Sequence, residues 1–313
     1  MDSSREEIDP IVGQNADVRP HRSYQQLIAV FQQRGGSKGA EPGIDVLPLR
    51  TESREVCLPP WPNSARGVPN IALRSALFGA ISKRARPSLQ RQEIHAQDGI
   101  SIRYTGVRLD QGDLDVWEAI LHLFRTRNAA TGCKATAYQL LKALGKTDTG
   151  KNREILDRRL SRLKATALDV KVVGRVSYEG SLIGDVYRAD ESRAYVIMLN
   201  PKLCLLFKSD QFTHIQWTVR YALRGKPLAQ WLHGYYSSHA KPFPVKVETL
   251  CRLCGSEAVL LSDFKKDLRR GLDAVSAASR ANGEHFCYEI RGDLVHVQRG
   301  TLRRRLTEKI KSR

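Results

Sequence analysis

Two stretches of this chain place basic and hydroxyl side chains at helical spacing around an apolar stripe. In the first, Leu156, Leu160, Leu163 and Ala167 recur at offsets of four, seven and eleven, which puts them within one narrow stripe of an α-helix. Lys151, Arg153, Arg158, Ser161 and Arg162 are expected outside that stripe. In the second, Phe264, Leu268, Gly271 and Val275 repeat the same offsets and turn Lys266, Arg269 and Arg270 outward. A guanidinium can bond a guanine edge bidentately, and ammonium and hydroxyl groups can hold phosphates. The chemistry on offer is recognition of double-stranded DNA. Bond-making chemistry has no comparable support: there is no His-x-His element and no complete phosphate loop ending in Lys-Ser or Lys-Thr, so neither a metal-dependent nuclease nor an ATPase motor is expected, and no cofactor.

The elements that position these helices repeat as well. The first long helix follows a short helical pattern over 134–145 closed by Gly145, and the second follows its counterpart over 245–255 closed by Gly255; a glycine there can take the left-handed cap conformation. Amphipathic helices are predicted before each copy, over 113–127 and 226–238. A hairpin is predicted after each: through Lys171-Val172-Val173 and Val186-Tyr187 in the first, and through Phe286 to Ile290 and Leu294 to Val297, around Arg291-Gly292-Asp293, in the second. Helix, short helix, long helix and hairpin spell a winged helix-turn-helix, present twice. Further upstream, Ile94, Ile100, Ile102, Tyr104 and Val107 alternate around Asp98-Gly99 and predict another hairpin.

The expected fold class is α+β, with tandem winged-helix domains at 69–207 and 208–300, a disordered N-terminal arm at 1–68 and a basic tail at 301–313. Charge supports a polyanionic partner: 51 Lys and Arg against 33 Asp and Glu give a formal net charge of +18. No apolar run is long enough to span a membrane and residues 1–20 hold no apolar core of a secretory signal, so a cytoplasmic protein without membrane partners is expected. The six cysteines then read as reduced thiols. Cys251 and Cys254 have CxxC spacing but no second pair to complete a zinc site, so no metal is expected.

With these residues laid out, the chain resembles the TrfA family of plasmid replication initiators over roughly residues 59–300. The resemblance rests on Pro60-Trp61-Pro62-Asn63, Arg74-Ser75-Ala76-Leu77-Phe78, Tyr104-Thr105-Gly106-Val107, Leu160 to Ala167, Tyr236-Ser237-Ser238-His239, Leu253-Cys254-Gly255-Ser256 and Asp293-Leu294-Val295-His296. It implies binding to directly repeated iterons at a plasmid origin, opening of an adjacent AT-rich segment, and loading of the host replicative helicase alongside DnaA. It also implies a monomer as the active form, with an inactive dimer restraining copy number. Relatives that bind the host sliding clamp carry Gln-Leu-x-Leu-Phe shortly before the Pro-Trp-Pro element; the corresponding Glu52-Ser53-Arg54-Glu55-Val56 lacks it. The candidate clamp contact is Asp45, Val46, Leu47, Pro48 and Leu49, whose Leu-Pro-Leu ending resembles a variant of that motif, with Gln26-Leu27-Ile28-Ala29-Val30-Phe31 a weaker match. A tandem winged-helix transcriptional repressor would share the same binding chemistry.

Overall fold

The computed structural model describes residues 56–301 except 57, 82–85, 98, 128, 130–131, 175, 190–193 and 209–210. The clamp candidates Asp45 to Leu49, most of the expected arm and the tail beyond 301 lie outside the described residues.

The described chain mixes helices and strands. Its first half opens with β1 (Ala65–Pro69), the single-turn α1 (Asn70–Leu73) and the short β2 (Phe78–Gly79). β3 (Ser88–Ile94) and β4 (Ile100–Val107) form the hairpin expected around Gly99, which sits at φ 82°. β5 (Leu109–Asp110) pairs in parallel with β2. α2 (Gln111–Arg127) buries Val116, Trp117, Ile120 and Phe124, as its periodicity requires. β6 (Gly132–Thr136) leads into α3 (Ala137–Ala143), which Thr136 and Gln139 start with a reciprocal capping box, and Thr149 caps α4 (Gly150–Lys164). β7 (Ala167–Val172), β8 (Val176–Gly180), β9 (Val186–Ala189), β10 (Ala194–Met198) and a 3-10 helix (Pro201–Phe207) complete this half.

The second half starts with β11 (Phe212–Gln216), which pairs antiparallel with β1. α5 (Trp217–Ala222), α6 (Pro227–Ser237), β12 (Val245–Lys246), α7 (Val247–Leu253), α8 (Leu261–Ala281), β13 (Glu284–Arg291) and β14 (Leu294–Thr301) follow. Strand order is β6-β10-β9 in one half and β12-β14-β13 in the other. In both, the strand before the short helix pairs with the second strand of a later hairpin, which follows α8 directly in the second half but comes after the β7–β8 pair in the first. Buried apolar side chains gather in two clusters, one running from Val56 to Ile215 and one from Val219 to Val297.

Three expectations are corrected. Lys171 and Val172 do not form a hairpin with Val186 and Tyr187: the first pair lies in β7, bonded to β4 and β8, and the second in β9, bonded to β10. Alternation reports that a strand buries one face, not which edge it meets, and the open edge of β4 captures β7. Ala167 is not the last member of the α4 stripe; it is exposed in β7. Thr166 ends the helix two residues after Lys164 by donating to the Leu163 carbonyl (2.9 Å) and accepting from the Leu182 N–H (3.1 Å). Finally, the stretch before 69 is not all arm, because Val56, Trp61, Ala65 and Val68 are buried. Trp61 stacks on Phe207 with centroids 6.1 Å apart and donates from Nε1 to His122 Nδ1 (3.2 Å). Burial, with Arg66 and Arg125 nearby, holds His122 down to about 4, which leaves that nitrogen free to accept.

Candidate nucleic-acid interface

The short helix, turn and long helix are built alike in both halves. Gly145 (φ 60°) and Gly255 (φ 63°) both occupy the left-handed region. Gly145 N–H donates to Lys142 and Lys146 N–H to Leu141; Gly255 N–H donates to Arg252 and Ser256 N–H to Cys251. Each is the double-bonded Schellman closure, which a Cβ at the glycine would strain. An arginine from outside the unit grips each turn. Arg224 Nη1, in the second half, donates to the Gly145 carbonyl at 2.7 Å, and Arg108 Nη2, in the first half, donates to the Gly255 carbonyl at 2.9 Å.

Further bonds tie the halves together between these two grips. Fully buried Arg220 on α5 reaches α2, with Nε 2.8 Å from Asp115 Oδ1 and 3.1 Å from Glu118 Oε2. Trp231 Nε1 donates to the Ser75 carbonyl (3.1 Å), Arg74 Nε to Ser238 Oγ (2.9 Å), and Ala80 N–H to the Cys254 carbonyl (2.7 Å). With β1 paired to β11, this seam holds α4 and α8 in one fixed relation.

The eight predicted contact residues fare differently. Lys151 and Ser161 are exposed on α4, and Arg269 is exposed on α8. Arg158 with Glu154, Lys266 with Asp263 and Arg270 with Asp267 form exposed ion pairs at helical spacing; such pairs contribute little and can be exchanged for phosphate. Arg153 is held by both oxygens of Asp148, at 2.5 and 2.6 Å. Arg162 does not point to solvent as expected. Its Nη2 lies 2.7 Å from Oδ1 of Asp113, whose side chain is fully buried.

That aspartate is the centre of a charge cluster. Asp113 N–H donates to Asp110 Oδ1 and Asp110 N–H to Asp113 Oδ2, so the two acids cap the start of α2 reciprocally. Arg86, Arg159 and Arg162 close around them. Burial alone would raise the Asp110 carboxyl, but Arg159 and Arg86 outweigh it and hold it below the usual range. At Asp113, burial and the neighbouring Asp110 outweigh Arg159 and Arg162, and the carboxyl is raised.

The hairpins add residues that periodicity along a helix cannot report. Arg188 on β9 lies beside the outer face of α4, 3.3 Å from Asp157 and 3.5 Å from Ser161. Tyr195 on β10 also bonds Asp157 (2.9 Å), and Tyr288 on β13 bonds Asp273 of α8 (2.6 Å), so each hairpin is pinned to its long helix. Arg291, beside the turn of the second hairpin, is exposed and pairs with Glu289. The alternation that placed Val186 and Tyr187 in a strand could have flagged Arg188 as the next residue along it. Cys254 is buried in the second cluster with Cys251 packed against it, and burial pushes both thiols up. Among the described residues no group of three or more His, Cys, Asp or Glu could hold a metal ion, and no helix is long and apolar enough to cross a membrane.

The model of the TrfA protein family matches residues 53–299 of this chain. The chain belongs to the TrfA family. The plasmid replication initiator protein TrfA of Escherichia coli is 29% identical over 247 residues, covering 77% of this chain and 63% of that protein, so the match spans less than two thirds of that relative's length. Two crystal structures of domains 2 and 3 of RctB, one of the selenomethionine derivative, align with TM-scores of 0.48 and 0.44 at 15% identity. They cover 70% and 72% of this chain, and 92% and 94% of their own. Several TrfA-like motifs of this sequence meet at the seam: Arg74 and Ser75 touch Ser238 and Trp231, and the Leu253-to-Ser256 motif carries the carbonyls taken by Ala80 and Arg108.

Proposed function

We propose that this chain is a plasmid replication initiator whose two halves are winged-helix domains, with α4 and α8 as the helices that enter successive major grooves of an iteron. One observation carries the reading: a strand, short helix, long helix and hairpin unit occurs twice, interrupted in the first copy by β7 and β8, with the same strand order and the same turn closure, in a family whose Escherichia coli member is a named plasmid replication initiator. In a winged helix the second helix of the turn lies in the groove. Lys151, Ser161 and Arg269, with the exchangeable Arg158, Lys266 and Arg270, supply the base and phosphate contacts, and Arg188 and Arg291 touch the flanking backbone.

The two units differ in sequence, so their half-sites differ and the target is a direct repeat that one monomer can read. Its further steps follow the family: opening the adjacent AT-rich tract and loading the host helicase with DnaA. The sliding clamp is a partner through the candidate Asp45-to-Leu49 segment, and dimers restrain copy number. The chain acts in the cytoplasm by binding alone, without catalysis or a cofactor.

The seam supports a rigid spacing of roughly 10 bp, one helical turn, between the half-sites. Inserting about 5 bp between them turns the second half-site to the opposite face and should reduce affinity to that of one domain. A full-turn insertion should not restore it, because the seam cannot stretch. Affinity unchanged by the half-turn insertion would show that one domain alone reads DNA. Whether the gene maintains its own origin in a host without other replicons tests initiation separately.

A further inference from the structure

The turns that enter the two long helices are chemically opposite. Before α4 the turn is polar and bonded to its own helix: Asn152 Nδ2 donates to the Thr147 carbonyl (2.8 Å), Arg153 holds Asp148, and the Thr149 hydroxyl caps the helix. At the start of α8 stand Val259, the N-cap Leu260 and the first helical residue Leu261, exposed by 96%, 58% and 47%. Leu260 is the N-cap of α8 and makes no side-chain cap bond. An apolar cap forgoes the stabilisation that Ser, Thr, Asp or Asn would bring, and side chains this exposed return little of their burial energy at Val259 and only part of it at Leu260 and Leu261. The helix gains no cap from this trio and the core only partial burial, so the uncovered apolar surface is there for a partner.

We infer that Val259, Leu260 and Leu261 read thymine methyl groups in the major groove, so that the second domain selects A·T pairs by apolar contact while the first reads its half-site by polar contact. This deepens the proposed DNA binding and rests on it. Three features favour DNA over a protein. The trio sits at the N-terminal end of the proposed recognition helix, the end whose residues meet base edges. Lys266 and Arg269 follow on the exposed side of the same helix, suited to flanking phosphates. Three side chains also fall far short of the roughly 1,000 Å² that a stable protein interface buries. The thymine C5-methyl is the large apolar group on the major-groove edge of the base pairs; cytosine carries only a hydrogen at C5, and the amine it has in place of the thymine O4 would lose water beside an apolar side chain without gaining a partner.

The test uses the full chain and duplexes carrying the direct repeats of the plasmid that encodes it, with deoxyuridine replacing thymidine one position at a time. Uracil lacks only the methyl. Each contacted methyl should be worth about fourfold in affinity, at one to three thymines confined to the half-site of the second domain. A Val259→Ser, Leu260→Ser variant, whose unfolding midpoint should be at or above that of wild type because both sites are exposed and a serine hydroxyl at the N-cap can accept from the first turn of α8, should bind the thymidine duplex more weakly and be indifferent to deoxyuridine. Wild-type affinity that no deoxyuridine lowers overturns the inference while leaving DNA binding intact. So does a variant that keeps the full deoxyuridine loss, which would assign the trio to a protein partner. A chain that binds neither duplex overturns the DNA reading itself.

Discussion

α4 and α8 occupy equivalent places in the two halves, yet they are anchored by different forces. α4 buries three leucines, and its Arg159 and Arg162 reach down to the buried carboxylates of Asp110 and Asp113. α8 buries Phe264, Leu268, Gly271, Leu272, Val275, Ala278 and Ser279 along 21 residues, and none of its charged residues is buried. A Cβ on Gly271 would lie 3.0 Å from the Leu232 side chain, so α8 and α6 pack closely there and a larger residue would make Leu232 shift. A helix anchored by ion pairs spends its arginines on its own core, whereas one anchored by apolar burial keeps them for a partner. A count of basic residues on a recognition helix therefore overstates its DNA-facing charge until the anchoring is known.

The largest effect that could break this comparison is at Asp113. Asp113→Ala leaves Arg86, Arg159 and Arg162 around a site with one acid removed, and should cost about 3–5 kcal/mol in urea unfolding. Asp267→Ala, which removes an exposed pair on α8, should cost under about 1 kcal/mol. Equal losses would show that the ion cluster does not anchor α4.

Arginine substitutions sharpen the same contrast. Arg269→Ala should weaken cognate DNA binding by about 1–3 kcal/mol if its guanidinium reads a guanine, relax specificity there, and leave the unfolding midpoint unchanged. Arg162→Ala should do the reverse, lowering the midpoint while altering DNA affinity only as far as α4 shifts. Binding on cognate and scrambled duplexes, set beside thermal unfolding, separates the two; an Arg162→Ala protein of normal stability and relaxed specificity would restore the expectation read from periodicity.

The two gripped turns should differ by less. Gly145→Ala and Gly255→Ala each force a side chain into the left-handed region, costing about 1–2 kcal/mol. Gly145 should be the worse site. A Cβ there would fall 2.0 Å from the Tyr221 ring, which is stacked under Arg224, whereas at Gly255 the nearest atom, 2.5 Å away, is the movable end of Arg108. A larger loss of stability at Gly255, measured by urea unfolding, would reverse that ranking.

The smallest effect is a pH slope at the seam. Burial, only partly offset by Arg220, pushes the Glu118 carboxyl up to about 7 from an ordinary 4.5. With its folded-state value above the unfolded one, the folded form binds the proton more tightly. The contribution of Glu118 to stability therefore falls as pH rises from about 4.5 to about 7, and is flat above that. The unfolding free energy of wild type relative to Glu118→Gln should drop between pH 5 and pH 7.5; a constant difference would mean that Arg220 keeps Glu118 ionised throughout.

Local chemistry was enough to find much of this molecule. Apolar periodicity located α2, α4, α6 and α8, the Gly99 and Gly292 turns located two hairpins, and Gly145 and Gly255 marked the matched turns, because each signal is carried by residues a few positions apart. Composition pointed to a polyanion, and the quoted motifs pointed to the family. Tertiary structure decided the rest. It sent Arg162 to Asp113, gave β7 to the edge of β4, moved the first hairpin to β9 and β10, and drew Trp61 into the core. It also set two of the family's motifs against each other across the seam, where Arg74 meets Ser238. The physical reason is range: a helix or a turn is selected by neighbours in sequence, but the partner of a guanidinium or of an open strand edge is whatever folding brings near, and no spacing along the chain encodes it.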